Sequence, residues 1–311
     1  MELRQLRYFV AIVDHGSLSR AARVLHIAQP ALTQQLRHLE DDLGAQLLHR
    51  SSQGVLSTDA GKTFYEHAQA ILKQVDDARS AVTQTMNTPT GTVALGLPQS
   101  VSGALALPML TAVRETYPDI ELQLTEELSG NLIEQLKSGR INLAVLFDDG
   151  QLTAFASTPL VEEDMMYITR NDSVFAAAKK SITLAQAIQA PLILPGHQHG
   201  VRPRIEQLAR NAGLSVERVI EINSVAILKS AILADLGATI LPTAPLLSEI
   251  ERGTMRAYPI SSPVISRTLA LCASKNIPLT NAAAAIRQLV LDVTDRLCRS
   301  GHWLGAHIRQ R

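Results

Sequence analysis

The chain has 311 residues, 46% hydrophobic and 19% charged, and its basic and acidic side chains cancel to a net charge of zero. It is long enough to bury more than one core, and too evenly charged to coat nucleic acid by bulk composition. Glu2, Arg4 and Arg7 interrupt any secretory leader, and no apolar run is long enough to span a bilayer; a reducing cytoplasm and no membrane partner are expected.

In chain order, the first expected element is a helix carrying Leu6, Phe9, Val10 and Val13 on one face. A second helix places Leu18, Ala21, Ala22 and Leu25 at i, i+3, i+4 and i+7, with Ser17 as N-cap after Gly16. The small Ala21-Ala22 pair lets another helix cross closely. His26-Ile27-Ala28 reads as a turn, and Pro30 suits the first turn of a third helix that begins near Gln29. That helix would bury Leu32, Leu36, Leu39 and Leu43 and turn Pro30, Thr33, Gln34 and Arg37 outward. Gln can bond an adenine edge twice, Arg a guanine edge, and Thr a base or a thymine methyl.

Any amphipathic surface helix shows polar residues outward. The short turn and the uncharged start favour DNA here, because acidic residues wait until Glu40, Asp41 and Asp42 and a recognition helix reaches bases with its N-terminal part. Between Met1 and Leu39, Arg4, Arg7, Arg20, Arg23 and Arg37 oppose Glu2 and Asp14, a local net charge of +3 suited to phosphate contacts. Gln46–Arg50 and Val55–Thr58 flank Ser51-Ser52-Gln53-Gly54 and read as a short hairpin, a wing.

RQLRYFVAIVDHGSLSRAARVLHIAQPALTQQLRHLEDDLGAQLLHR, followed by GVLSTDAGKTF, resembles the N-terminal module of the LysR-type transcriptional regulators, and the match runs to about Phe64. Within that family VLHIAQPALTQQ and STDAGK are most similar to the nitrogen-assimilation-control type. Ser52 and Gln53 stand where the family's wing commonly carries basic residues. The resemblance implies a sequence-specific reader of double-stranded DNA, with RNA polymerase as a candidate partner. The positions expected at DNA are Gln29, Pro30, Ala31, Thr33, Gln34 and Arg37 on the third helix, Arg4, Ser17 and Arg20 before it, and Arg50 and Gln53 on the wing.

From Thr58 to Met86 there is no proline, and Gly61, Phe64, Ala68, Ile71, Val75, Ala78 and Val82 alternate steps of three and four, a coiled-coil seam. Lys73, Asp76, Asp77 and Arg79 lie off it. About 28 residues at 1.5 Å each make a rod of roughly 42 Å. A helix packed on its own domain is the alternative; the seam favours pairing with a second chain, and the resemblance implies a dimerisation helix. A dimer, or a tetramer built from dimers, would offer paired recognition helices to a pseudo-palindromic site. Gly61-Lys62-Thr63 mimics the end of a phosphate loop, but six residues separate it from Gly54, so nucleotide binding is rejected.

Asn87-Thr88-Pro89-Thr90-Gly91 reads as a hinge. Strands at Thr92–Leu97, Ile120–Thr125 and Ile141–Leu146 then alternate with helices at Val101–Tyr117 and Leu128–Ser138, a parallel α/β arrangement. A second set follows, with strands near Met165–Thr169, Pro191–Leu194, Arg218–Ile222 and Ala238–Leu241 and helices at Pro203–Ala212 and Val225–Asp235. A strand at Arg267–Ala273 and a helix at Thr280–Cys298 close the pattern. The resemblance continues here by pattern, most clearly in LGATILP at Leu236–Pro242. It implies two subdomains similar to type 2 periplasmic binding proteins, with chain crossings near Leu160–Glu163 and Ser266–Leu269.

The expected fold is therefore α/β overall, with a mostly helical winged helix-turn-helix at 1–58 and a linker helix at 59–87. The effector domain would divide into subdomain I (92–161 with 268–298) and subdomain II (162–267). In such sheets ligands bind beyond the C-terminal ends of the strands, where helix N-termini offer free N–H groups. The expected effector positions are Gln99, Ser100, Ser102, Ser129, Phe147, His197, Arg202, Asn223 and Ser224. Arg202 and His197 would suit an anionic or polar small molecule. Each serine taken singly reads as a helix cap; as a converging set they read as a site.

No cofactor and no metal are expected; His197-Gln198-His199 lacks carboxylate or cysteine support and reads as a loop. Cys272 and Cys298 read as buried or idle thiols. The chain shows no GxSxG, HExxH, complete phosphate loop or dinucleotide glycine fingerprint, so it is read as a regulator and not an enzyme. The alternative is a metabolite-binding protein or an enzyme built on the α/β half. The tail RSGHWLGAHIRQR, with the only tryptophan, is left open between a frayed end and a docked one.

Overall fold

The computed structural model describes every residue except 52–53, 84–88, 149, 151, 198–200 and 309–311, and it leaves the side chains of Arg50 and Thr83 undescribed. The chain divides into two compact units, residues 1–84 with 137–140 and the remainder.

In the first unit, α1 (Leu3–His15), α2 (Leu18–Val24) and α3 (Gln29–Leu43) enclose Leu6, Phe9, Ile12, Ala21, Ala22, Leu32, Leu36 and Leu39. Ser17 caps α2 by accepting the Arg20 N–H at 3.4 Å, and α3 opens on Gln29 with Pro30 in its first turn. Leu43 departs from expectation and is 38% exposed. It is the last helical residue, and Gly44 at φ 64 turns the chain away from the core just after it.

β1 (Leu48–Ser51) and β2 (Gly54–Ser57) pair antiparallel as the wing. The Val55 N–H donates to the Gly16 carbonyl at 3.0 Å, and a Cβ on Gly54 would sit 2.7 Å from that same oxygen. Glycine at 54 is therefore demanded by close backbone approach as well as by its φ of 137. The Glu40 carboxylate accepts the N–H groups of Leu47 and Leu48 at 2.9 and 3.2 Å, which ties α3 to the wing.

α4 (Asp59–Thr83) is 25 residues long, and its seam splits in two. The Phe64 ring meets Phe9 edge-on at 5.2 Å, Ala68 is buried, and a Cβ on Gly61 would lie 2.0 Å from the Leu47 carbonyl oxygen. This first half of the repeat packs on its own unit. Farther along, Ile71 and Ala78 are exposed, and Val82 is 86% exposed. The end of the expected linker and the start of the hinge, 84–88, lie outside the described residues.

The second unit begins as expected. β3 (Gly91–Pro98), α5 (Gln99–Thr116), β4 (Ile120–Glu127), α6 (Ser129–Ser138) and β5 (Leu143–Phe147) follow in order, and β3 lies parallel to both β4 and β5. Beyond that point the strands that join this sheet run antiparallel. β6 (Phe155–Asp164) is a ten-residue strand with no sequence pattern to announce it; Pro159, Glu162, Glu163 and Asp164 are residues that strands usually avoid.

After β6 come β7 (Met166–Arg170), the short α7 (Leu184–Ala187), β8 (Leu192–Leu194) and α8 (Val201–Asn211). They are followed by β9 (Val219–Glu221), α9 (Val225–Leu233), β10 (Thr239–Leu241), α10 (Leu247–Glu251) and β11 (Met255–Pro259). The chain closes with β12 (Ser266–Ser274), α11 (Asn281–Arg299) and β13 (Ala306–Ile308). β12 runs antiparallel to β5 and β6, and β13 antiparallel to β6, so the large sheet has the order β13-β6-β12-β5-β3-β4. The segment between β6 and β12 forms its own core around an antiparallel β10-β7-β11 sheet and a parallel β8-β9 pair.

The tail docks on its own unit. Trp303 is only 1% exposed, its Nε1 donates to the Glu163 carboxylate at 2.9 Å, and the Thr243 hydroxyl meets the Leu304 carbonyl. At the N-terminal end of α5, Gly103 abuts the turn after β10; a Cβ there would lie 2.3 Å from the Ala244 carbonyl oxygen. Glycine is therefore needed where the two cores of this unit meet.

Candidate DNA interface and effector cleft

On α3, Gln29, Pro30, Ala31, Gln34 and Arg37 are exposed on the side opposite the buried leucines. Half-buried Thr33 accepts a 2.9 Å hydrogen bond from the Gln29 amide, one helical turn away, which holds that side chain along the helix. Arg20 is exposed on α2, Ser17 is committed to its cap, and Arg4 pairs loosely with Glu2 at 3.5 Å. Arg50 lies in β1 without a described side chain, and Gln53 lies outside the described residues. A brace between α1 and α4 had no sequence signal: the Tyr65 hydroxyl donates to Asp14 and accepts the Gln69 amide at 2.8 Å. Burial, and then Asp14, push the Tyr65 phenol up to about 12.

The expected effector residues fall into two groups. In the first, Gln99, Ser100 and Ser102 form the first turn of α5, beyond the C-terminal end of β3. The Ser102 hydroxyl lies between the Gln99 carbonyl oxygen, 3.1 Å away, and the Glu126 carboxylate. Ser129 starts α6 beyond β4, and Phe147 ends β5. These positions share the C-terminal edge of three parallel strands.

In the second group, the Asn223 amide oxygen accepts the Gly196 N–H at 2.8 Å, and Ser224 caps α9 through the Ile227 N–H at 3.4 Å. Arg202 donates to Glu206 and to Glu221, both at 2.8 Å, and His197 lies 3.2 Å from Glu206. The Arg202 hydrogen bond holds the Glu206 carboxyl below its ordinary value, against its own burial and with help from His197. Arg202 and His197 are thus engaged with protein carboxylates, which weakens the expectation that this pair supplies charge to an anionic ligand. No hydrogen bond joins the two groups among the described residues.

Arg267, at the start of β12, carried no sequence signal. Its Nε and Nη2 bond one Glu163 carboxylate oxygen at 2.8 and 2.7 Å, and the other oxygen takes the Trp303 indole. The side chains of Arg267 and Glu163 are 10% and 1% exposed. Arg267 Nη2 also donates to Ser100 at 3.1 Å, and the guanidinium lies 4.2 Å over the Phe147 ring. Burial draws the Arg267 pKa down from its ordinary value, with the Glu163 charge opposing. This pair could not be read from sequence because its members are 104 residues apart.

A cavity of about 340 Å³ opens elsewhere, lined by Tyr167, Phe175, Lys179 and Gln186 among others, and none of the expected effector residues borders it. Among the described residues no group of His, Cys, Asp or Glu is placed to hold a metal, and no helix is long and apolar enough to cross a membrane. Cys272 and Cys298 are free thiols, pushed up by burial to about 12 and about 11.

A winged helix-turn-helix with an exposed, uncharged helix start, on one chain with a two-core α/β unit, defines a DNA-binding regulator with a small-molecule-sensing domain. Comparison with known proteins agrees. Residues 3–62 match the bacterial regulatory helix-turn-helix protein, lysR family, and residues 87–295 match the LysR substrate binding domain. The chain is 36% identical to the nitrogen assimilation regulatory protein nac of Klebsiella aerogenes, over 95% of this chain and 96% of that one. It is 30% identical to a hydrogen peroxide-inducible genes activator of Pectobacterium carotovorum, over 90% and 92% of the two chains. The crystal structure of full-length CbnR complexed with its target DNA superposes with a TM-score of 0.70 at 21% identity, covering 94% of this chain and 100% of that one. The chain belongs to the LysR family, and it is a DNA-binding transcriptional regulator with an effector-binding domain.

Proposed function

We propose that the chain acts in the cytoplasm as a dimer, or a dimer of dimers, paired through the uncovered half of α4. In this reading it controls genes of nitrogen or amino-acid metabolism, and it is not an enzyme. Gln29, Pro30, Ala31, Thr33, Gln34 and Arg37 read the major groove, while Arg4, Ser17, Arg20, Arg50 and Gln53 position the module on the backbone. The observation that carries this reading is the exposed Gln29–Arg37 face of α3 set over fully buried leucines. RNA polymerase is the partner at the promoter.

The domain division follows the same reading, with reader at 1–58, linker at 59–87, subdomain I at 92–161 with 268–298 and subdomain II at 162–267, except that the ends of β6 and β12 carry the subdomain boundaries to 164/165 and 265/266. An effector, with no cofactor, settles between Gln99, Ser100, Ser102, Ser129 and Phe147 on one side and His197, Arg202, Asn223 and Ser224 on the other, and shifts the balance between two arrangements of the dimer. The nitrogen role rests on the 36% identity to the nac regulator. A role like that of the peroxide-inducible relative is disfavoured: peroxide attack needs a thiolate, and both thiols here have raised pKa values.

Genome-wide footprinting of the full chain at fixed salt tests the reading. Two-fold symmetric half-sites at promoters are expected, and Gln34→Ala and Arg37→Ala should each weaken specific binding by about 5- to 150-fold with the fold intact. Sequence-blind binding that disappears as salt rises would overturn it.

A further inference from the structure

We propose that Arg267 is the polar anchor of the effector site and that it selects a small molecule bearing a carboxylate. This inference rests on the cleft reading above and names the ligand class that the cleft would take.

Arg267 precedes the β12 residue paired with Phe147, so its side chain arrives at the C-terminal edge of β5, where Phe147 and the first turn of α5 meet. Three features make it a presented group. Two of its nitrogens are fixed by Glu163, and Glu163 is itself fixed by the Trp303 indole. The guanidinium plane is laid on the Phe147 ring and steered by Ser100. The remaining nitrogen, Nη1, donates to no described residue, yet it is not among the side-chain atoms sealed from solvent without a partner. A rigid donor with one open edge, at the ends of parallel strands, is built to meet an acceptor from outside the chain.

The neighbours narrow the acceptor. Arg202, the arginine expected at the cleft, gives Nε to Glu206 and Nη1 to Glu221, so two carboxylates surround its charge. Arg267 faces one carboxylate and Arg202 two, so the open edge of Arg267 is the better donor for an anionic oxygen, and a charge-assisted bond there outweighs one to a neutral amide. An amine is repelled by the guanidinium at this point, and the carboxylate behind it, Glu163, is 1% exposed and already bonded through both oxygens. Arg267 is distinct from the expected cleft residues; Glu163 and Trp303 hold it from behind, while Ser100 and Phe147 belong to the cleft itself.

The test uses the full chain with matched probes: malonate, succinate and glutarate, their diamides, and the diamines of the same carbon count. Calorimetry measures binding, and the emission of Trp303, the single tryptophan, reports on the Glu163 carboxylate it contacts. At least one dicarboxylate should bind saturably and shift that emission, with its diamide and diamine weaker by about tenfold or more. Arg267→Met alone strands the buried Glu163, so the decisive variant is the double change Glu163→Gln with Arg267→Met, which keeps the site neutral. It should lose dicarboxylate binding by the same factor in calorimetry while the chain keeps its melting transition.

Undiminished binding in the double variant would overturn the Arg267 assignment. If that binding is lost in Ser102→Ala with Ser129→Ala, the cleft reading survives without Arg267. Tighter binding of diamides or diamines would also overturn the carboxylate assignment while leaving the cleft in place. If no dicarboxylate binds the full chain, this inference falls, while the effector-binding domain and DNA reading stand on their own grounds.

Discussion

In the DNA unit, the core from Leu6 to Leu48 is made by helices and a hairpin that follow one another directly, each with its own cap or turn. In the effector unit, Trp303, a side chain only 1% exposed, bonds a residue 140 positions earlier. The first fold is specified by neighbours in sequence and the second by partners across it. Local specification leaves one face of α3 free for a ligand as irregular as DNA. Distant specification lets a residue such as Arg267 be held from behind while its open edge faces a cleft.

Substitutions can sharpen that contrast. Trp303→Ala should have the largest effect, about 3–5 kcal/mol, because it opens a cavity and leaves Glu163 short of a donor. Hydrogen exchange should rise along β6 and β12 and stay unchanged in α1–α3. Leu36→Ala is the mirror case, about 2–5 kcal/mol, with faster exchange confined to the first unit. Exchange that rises in both units for either variant would break the contrast.

Gly103→Ala should cost about 1–3 kcal/mol in the melting of the effector unit, because its Cβ would press on the Ala244 carbonyl. Ser17→Ala removes one cap and should cost about 1 kcal/mol, seen as fraying of α2. The smallest effect is that of pH. The folded pKa of Glu206 is depressed, so its stabilisation is complete above its unfolded pKa and fades as pH falls through the folded one. Arg202→Met should reduce that acid-limb dependence in a melting series, leaving the part due to His197. Cys272, raised to about 12, should resist alkylation near neutral pH until the chain unfolds.

Legibility followed the same division. Leu32, Leu36 and Leu39 announce α3 by spacing, and Pro30 and Ser17 mark where helices start; each signal is local and each is present in the structure. The βαβαβ run from β3 to β5 was equally plain. β6 escaped notice because Pro159 and three successive acidic residues belie a strand, and what reconciles them is distant: Arg267 and Trp303 for Glu163, Ser266 for Glu162, the Gly305 carbonyl for the Asp164 N–H. β13 was unreadable for the same reason, since its partner is β6. At the candidate sites, residue type was enough to nominate Gln34 or Ser100, while Arg267 required knowing what stands beside it.

The two strands that enclose residues 165–265 end beside each other. Asp164 pairs with Ser266, and the Met165 N–H reaches the Ile265 carbonyl at 2.7 Å. The whole intervening core is thus a loop insertion hung from the end of a β-hairpin, with its entrance and exit stitched together. Such a segment is a natural cassette. A two-residue turn between Asp164 and Ser266 would excise it while preserving the strand pairing, and a cassette from a related chain could be grafted onto the same two residues.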